Sequence, residues 1–280
     1  MSIGYINGKY ISLDETVIPI DERGHQFGDG VYEVIRFYAG QPFMLDEHIE
    51  RLINSSYAIK LPITDDLDSF RKLIMEAVQK AGISDCNVYI QITRGIATRN
   101  HLFPNVPVSI TMTVRPAKTI DKDERAKGVF AITRDDERWA NCYIKSLNLL
   151  PNILAKQEAE DQGCFEAILL KEGFVTEGTS SNVYVVKDGK VYTTPLSKQI
   201  LPGITRMAVK QIAEKLEISF IEQHVSQEEL MEADEVFVTS TTAEILPVVK
   251  INKCAVGNGI PGEITTTLYE EFCRTIENQK

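Results

Sequence analysis

The chain has 280 residues, 43% of them hydrophobic and 25% charged, and carries a formal net charge of −10. That composition fits a globular protein of one large or two medium domains and holds no low-complexity tract. No apolar run approaches the ~20 residues a membrane span needs, and the acidic balance argues against nonspecific nucleic-acid binding.

In chain order, the pattern begins with a hairpin. Asn7-Gly8 is a type I′ turn signal between strands expected over 3–6 and 9–12. A β-branched and aromatic run predicts a strand over 31–38, which Ala39-Gly40 turns toward 42–45. Asp46 is the expected N-cap of a helix to about residue 59, with Ile49, Leu52 and Ile53 on one face. A second helix is expected over 67–81, where Leu67, Phe70, Leu73, Ile74 and Val78 recur at helical spacing and Gly82 stops it. Strands are expected over 88–93 and 108–114. The charged stretch 117–127 has no strand pattern and is read as a linker between domains at 1–116 and 128–280.

Beyond the linker, strands are expected over 129–133, 165–170, 183–186 and 190–193, the last two joined at Asp188-Gly189. Helices are expected near 150–161, over 207–216 and over 263–276. Ser226-Gln-Glu-Glu229 reads as a capping box, and the last strands fall at 236–239 and 245–249. Short strands mixed with helices predict an α+β fold, not a doubly wound sheet. The sequence has no G-x-G-x-x-G, P-loop, G-x-S-x-G or H-E-x-x-H motif, which argues against dinucleotide, NTP, serine-hydrolase and zincin chemistry.

Cys86, Cys142, Cys164, Cys254 and Cys273 are odd in number and widely spaced, with no C-x-x-C pair. They form neither a disulfide framework nor a zinc motif, so a reducing cytoplasm is the expected setting. The first residues lack a basic region followed by a long apolar core, and no signal peptide is expected. Cys142 reads as a small buried hydrophobe, His25 and His48 as uninformative, and Trp139 as a core or interface aromatic.

Lys145, in Asn141-Cys-Tyr-Ile-Lys-Ser-Leu-Asn-Leu-Leu150, has no acidic neighbour in sequence. Such a lysine either snorkels to solvent or, where its charge is poorly solvated, serves as a neutral amine that attacks aldehydes. Pro202-Gly-Ile-Thr-Arg206 opens an expected helix, whose N-terminal N–H groups and positive dipole end bind anions. Gly203 allows close backbone approach there. Thr239-Ser-Thr-Thr242 places four hydroxyls in a row after a strand. Arg99 and His101 lie two apart in an expected loop, and an arginine fork can grip a carboxylate with two parallel hydrogen bonds.

In this order, Lys145, Glu177-Gly-Thr-Ser-Ser-Asn182, Leu201-Pro-Gly-Ile-Thr-Arg206 and Thr239-Ser-Thr-Thr242 resemble the class IV aminotransferases, the fold-type IV pyridoxal 5′-phosphate (PLP) enzymes. The resemblance runs from Asp21-Glu-Arg-Gly-His-Gln-Phe-Gly-Asp-Gly-Val-Tyr-Glu-Val34 to Thr239-Ser-Thr-Thr-Ala-Glu244 and is strongest to the D-amino acid branch. It implies a smaller N-terminal α/β domain and a larger C-terminal pseudo-barrel. It implies that Lys145 bonds the cofactor aldehyde and moves the substrate proton, and that Glu177 partners the pyridine nitrogen, with Ser180 and Ser181 as buttresses and Ser180 the closer match. Leu201 would pack on the cofactor ring, while Ile204, Thr205, Ser240, Thr241 and Arg51 would hold the phosphate. Tyr32, Arg99 and His101 would trap the substrate carboxylate, with the Arg-x-His loop reaching from a partner subunit of a homodimer. The implied reaction moves the amino group of a D-amino acid such as D-alanine to a 2-oxo acid such as 2-oxoglutarate. A branched-chain L-amino acid aminotransferase, an aminodeoxychorismate-lyase-like PLP enzyme and a non-catalytic PLP-binding protein are the competing expectations.

Overall fold

The computed structural model describes residues 1–278. They divide into two compact units. The first comprises 1–118 with the short segment 144–148, and the second comprises 119–143 with the chain from 149 onward. The boundary after residue 118 therefore falls inside the stretch read as a linker, 117–127, most of which belongs to the second unit. That stretch contains helix α4 (Lys122–Lys127), capped by the Asp121 side chain.

The first unit is a six-stranded sheet backed by two helices among the described residues. The strands are β1 (Ile3–Ile6), β2 (Lys9–Ile11), β3 (Gly30–Tyr38), β4 (Gln41–Pro42), β5 (Cys86–Thr93) and β6 (Ser109–Pro116), in the order β2-β1-β6-β5-β3-β4. A five-residue helix, α1 (Arg23–Phe27), precedes β3. The two turn dipeptides read from sequence adopt the positive φ that primed turns demand, at Asn7-Gly8 and at Ala39-Gly40. Helix α3 (Leu67–Ala81) starts at an Asp66 side-chain cap and ends at Gly82 in the left-handed region. Helix α2 (Leu45–Ala58) begins earlier than expected. Met44 is its N-cap, and Asp46 sits inside the first turn, where its charge suits the helix dipole without capping. Period-2 alternation sends Val31, Ile35, Val88, Ile90, Ile92, Met112 and Val114 into one core with Ile49, Leu52, Phe70 and Ile74 of the helices.

Among the described residues, the second unit is built on a nine-stranded sheet of β7 (Val129–Asp135), β8 (Glu166–Lys171), β9 (Phe174–Gly178), β10 (Asn182–Lys187), β11 (Lys190–Thr193), β12 (Phe220–Glu222), β13 (Glu235–Ser240), β14 (Glu244–Ile251) and β15 (Cys254–Ala255). Its path runs β12-β11-β10-β13-β14-β7-β8-β9, and the sheet curls so that β9 returns beside β10. Helices α5 (Leu150–Asp161), α6 (Ile204–Lys215), α7 (Gln227–Met231) and α8 (Glu263–Glu277) surround it. Ser226 and Glu229 form the expected capping box at α7. The buried Arg125 of α4 donates to the carbonyls of Ala243, at 3.0 Å, and Ile245, and to the Glu244 carboxylate at 3.0 Å. A residue of the supposed linker thus fixes the turn between β13 and β14, which carries Thr241 and Thr242 of the hydroxyl run.

Candidate active site

In the first unit, Lys145 is held by its backbone on two sides. Its N–H donates to Ser55 Oγ of α2 at 3.1 Å, and its carbonyl accepts from Tyr32 N of β3 at 2.9 Å. The next residue, Ser146, bridges Val31 in antiparallel fashion. A lysine pinned in this way presents its side chain from a fixed point. Its half-buried amine lies 4.4 Å from the Tyr32 ring centroid and forms no ion pair among the described residues. Tyr32 itself stacks on Tyr89 at 5.6 Å. Burial pushes the Tyr89 hydroxyl up to about 12, and that hydroxyl donates to Gln91 Oε1 at 2.7 Å.

Glu33, on the opposite face of β3, is fully buried. It accepts from Arg51 Nε at 2.7 Å, from Arg51 Nη2 at 2.9 Å and from His48 Nδ1 at 2.8 Å. Burial alone would raise this carboxyl, but Arg51 and His48 hold it well below the usual carboxylate range. Burial lowers the His48 imidazole despite the pull of Glu33. His48, Arg51 and Ser55 follow at i, i+3 and i+7 on α2, one helical stripe facing β3 and the lysine segment. Arg51 is therefore a buried, oriented guanidinium and not a surface charge. Sequence reasoning passed over His48 and missed Glu33 and Ser55.

Arg99 and His101 sit on an exposed loop between β5 and β6. Both lean on Phe27, Arg99 at 4.6 Å from the ring centroid and His101 at 5.6 Å. No hydrogen bond, ion pair or ring contact among the described residues joins either of them to Tyr32 or Lys145. His25 is exposed on α1, and its side chain forms no hydrogen bond or ion pair among the described residues.

In the second unit, Glu177 lies near the end of β9 and is buried. Arg138 Nη1 donates to its Oε1, while Asn182 Nδ2 at 3.2 Å and Leu201 N at 3.0 Å donate to its Oε2. Burial pushes the Glu177 carboxyl up to about 7, against the pull of Arg138. Arg138 is in turn gripped by Asp136, which accepts from Nε at 2.8 Å and Nη2 at 2.7 Å. All three side chains are at most 6% exposed, so the charges compensate one another in a dry environment. Neither Arg138 nor Asp136 was read as functional from sequence.

Asn182 ties this carboxylate to the loop before α6. The same amide donates to Leu201 O at 3.0 Å, so Leu201 is held through both its N–H and its carbonyl. Gly203, the N-cap of α6, has no room for a side chain: a Cβ there would lie 2.1 Å from Asn182 Oδ1. Ile204 and Thr205 open the helix and are buried, while Arg206 turns away to Thr193, Thr194 and Glu222. The helix expected from residue 207 starts earlier, at Ile204, because Gly203 caps it through its backbone alone.

Among the described residues neither serine hydroxyl after Glu177 forms a hydrogen bond to it. Ser180 is exposed in a turn, and Ser181 donates at 2.8 Å to Glu166, a different buried carboxylate, which also binds Thr179. The geometry is dictated by Gly178, where a Cβ would stand 2.2 Å from Ser181 Oγ. At the end of β13, Ser240 Oγ accepts from Ala243 N at 3.0 Å, whereas the half-buried Thr241 hydroxyl in the turn that follows forms no hydrogen bond among the described residues. Cys142 is buried, with a thiol that burial pushes up to about 11, as expected of a packing residue. Trp139 is 38% exposed and not a core aromatic.

The family model for amino-transferase class IV matches residues 30–251. The D-alanine aminotransferase of Bacillus licheniformis is 45% identical over 271 residues, 96% of this chain and 95% of that protein. The D-alanine aminotransferase of Staphylococcus haemolyticus is 43% identical over 277 residues, 98% of each chain. Among solved structures, the branched-chain aminotransferase of the archaeon Thermoproteus uzoniensis with norvaline superposes with a TM-score of 0.90. It is 28% identical, and the match covers 99% of this chain and 95% of that one.

Proposed function

Because this chain belongs to the amino-transferase class IV family, we propose that it is a PLP-dependent D-amino acid aminotransferase. It exchanges the amino group of D-alanine or a similar D-amino acid with a 2-oxo acid such as 2-oxoglutarate, giving pyruvate and D-glutamate. The observation that carries the reading is Lys145: an amine fixed from both sides of its backbone, resting on an aromatic face and free of any carboxylate partner among the described residues.

The residues present suit PLP. An unpaired lysine amine matches an aldehyde, a buried carboxylate braced by a cation matches a ring nitrogen, and a helix N-terminus opened by a glycine matches a phosphate. When bound, the cofactor supplies the aldehyde for amine exchange and a ring that accepts electrons. Lys145 would engage the aldehyde and then carry the proton at the substrate α-carbon. Glu177, steadied by Arg138 and Asn182, would hold a proton on the ring nitrogen. Ile204 and Thr205 at the start of α6, with Ser240, Thr241 and Arg51, would bind the phosphate. Leu201 would pack on the ring and Ser180 lie beside it. Tyr32, Arg99 and His101 would bind the substrate carboxylate.

The homodimer belongs to the same reading. Arg99 and His101 are exposed, and Leu102 and Phe103 next to them are 75% and 60% exposed. A loop that projects carboxylate-binding and apolar side chains together suits insertion into a partner subunit. Five free cysteines suit a cytoplasmic setting. Branched-chain L-amino acid transamination is the second reading, supported by the similarity to the Thermoproteus uzoniensis structure. A coupled assay offering paired D- and L-amino acids with 2-oxoglutarate decides between them. Turnover confined to L-substrates would overturn the D reading, and turnover without any 2-oxo acid would point to a lyase.

A further inference from the structure

We infer that the short helix Arg23–Phe27 is the platform that presents Arg99 and His101, with Arg23 and Phe27 as positioning residues for substrate carboxylate binding; this deepens the function proposed above and rests on it. Phe27 is the shared support. Its ring has the Arg99 guanidinium at 4.6 Å, the Arg23 guanidinium at 4.7 Å and the His101 ring at 5.6 Å. A guanidinium lying on an aromatic face is attracted to the ring quadrupole and keeps its in-plane N–H donors available. Arg99 forms no hydrogen bond or ion pair among the described residues, so those donors remain for a ligand.

Arg23 fixes the backbone between the two. Its side chain is buried, with Nε on Asp29 at 2.8 Å and Nη1 on the carbonyl of Asn100 at 2.5 Å. Asn100 is the residue that separates Arg99 from His101. The stem of the loop is tied to the same segment. Arg23 N donates to Gly95 O, Ala97 N to Asp21 O and Arg94 N to Asp29 O, each at 3.0–3.1 Å. Arg94 shares Asp29 with Arg23, and its two terminal nitrogens close the end of α2 on the carbonyls of Ile59 and Lys60. A flexible arginine on a surface loop would lose considerable side-chain entropy on gripping a carboxylate. A preset arginine loses less, which is the benefit of the platform.

The test is substrate kinetics of the PLP-loaded enzyme. Phe27→Leu keeps apolar volume but removes the aromatic face. It should raise KM for both the amino donor and the 2-oxo acid about threefold to tenfold, the range expected for a lost cation–π contact. PLP retention and kcat should stay within about twofold, the pattern of lost uniform binding, and Phe27→Tyr should restore wild-type KM. In the Arg99→Ala background Phe27→Leu should add clearly less than it does alone, because only His101 is left to position. A wild-type KM in folded Phe27→Leu, or an effect fully additive with Arg99→Ala, overturns the inference. If Phe27→Leu does not fold, Phe27→Met repeats the measurement with the same expected and overturning results. Failure of the functional reading looks different: Arg99→Ala itself would leave KM unchanged.

Discussion

Arg138 donates from Nη1 to the Glu177 carboxylate while Asp136 holds the same guanidinium through Nε and Nη2. The carboxylate proposed to face the ring nitrogen is thus one end of a buried chain of alternating charges. Arg138→Met would strand two buried acids without their cation. Breaking such a pair costs roughly 3–5 kcal/mol, mostly the desolvation left uncompensated. Urea unfolding of the cofactor-free protein should show that loss. A variant within about 1 kcal/mol of wild type would mean the network adds no stability.

Glu177 should leave a pH signature in the cofactor-free protein. Its folded pKa is raised to about 7, above the ordinary carboxylate value of 4.5. Between these values the folded state holds a proton that the unfolded state has released, so stability falls as pH rises through that window. Glu177→Gln removes the titration while keeping a polar group in place. Relative to the variant, wild type should lose about 2–4 kcal/mol between roughly pH 4 and pH 8. A pH-independent difference between the two would contradict the raised pKa. Loaded with PLP, Glu177→Gln should bind the cofactor yet transaminate slowly, because an amide cannot stabilise a protonated ring nitrogen.

The Glu33 cluster yields a test of the phosphate site. Glu33→Gln retains shape but removes the charge that orients Arg51 through two hydrogen bonds. Titration should show PLP affinity reduced at least about tenfold, equivalent to about 1.4 kcal/mol. Folded Glu33→Gln protein with wild-type affinity would take Arg51 out of the phosphate site.

Much of this cluster could have been read from the sequence. Glu33 falls in phase with Val31 and Ile35 on the core face of an alternating strand, and a charge at a core position calls for buried partners. His48 and Arg51 stand one turn apart on the next helix and could have been nominated. The strands joined at Asn7-Gly8 and Asp188-Gly189 were legible because turn chemistry is local. Helices α1 and α4 were not. Each is a single charged turn or little more, stabilised by contacts distant in sequence, such as Arg125 on the turn after β13. Arg138 was invisible for the same reason, since its partner Glu177 lies 39 residues away. The partner of Ser181 was not legible either, because Glu166 lies on a neighbouring strand.

Lys145→Ala should still bind PLP through the proposed phosphate residues but lose nearly all turnover, since both the amine for the aldehyde and the proton carrier are gone. Its backbone contacts to Tyr32 and Ser55 do not involve the side chain, so the fold should persist. Borohydride reduction of the PLP-loaded wild type should tag Lys145 covalently. Peptide mapping that finds the label on another lysine would remove Lys145 from this role.

Arg99→Ala should weaken substrate binding far more than PLP binding, because the proposal aims this guanidinium at the substrate carboxylate and not at the phosphate. Truncating one partner of a desolvated charge pair costs roughly 2–5 kcal/mol. If the loop serves a partner subunit, each active site takes Lys145 from one chain and Arg99 from the other. Mixing inactive Lys145→Ala subunits with Arg99→Ala subunits then creates, in every heterodimer, one site with both wild-type residues and one with neither. Random exchange places about half of all dimers in this class, so activity at substrate levels far below the Arg99→Ala KM should climb from near zero toward about a quarter of the wild-type value per site. The recovery should follow the kinetics of subunit exchange and be absent from either variant alone. Verified heterodimers that stay inactive would show that the loop completes the site of its own chain, and the inter-subunit carboxylate trap would have to be abandoned.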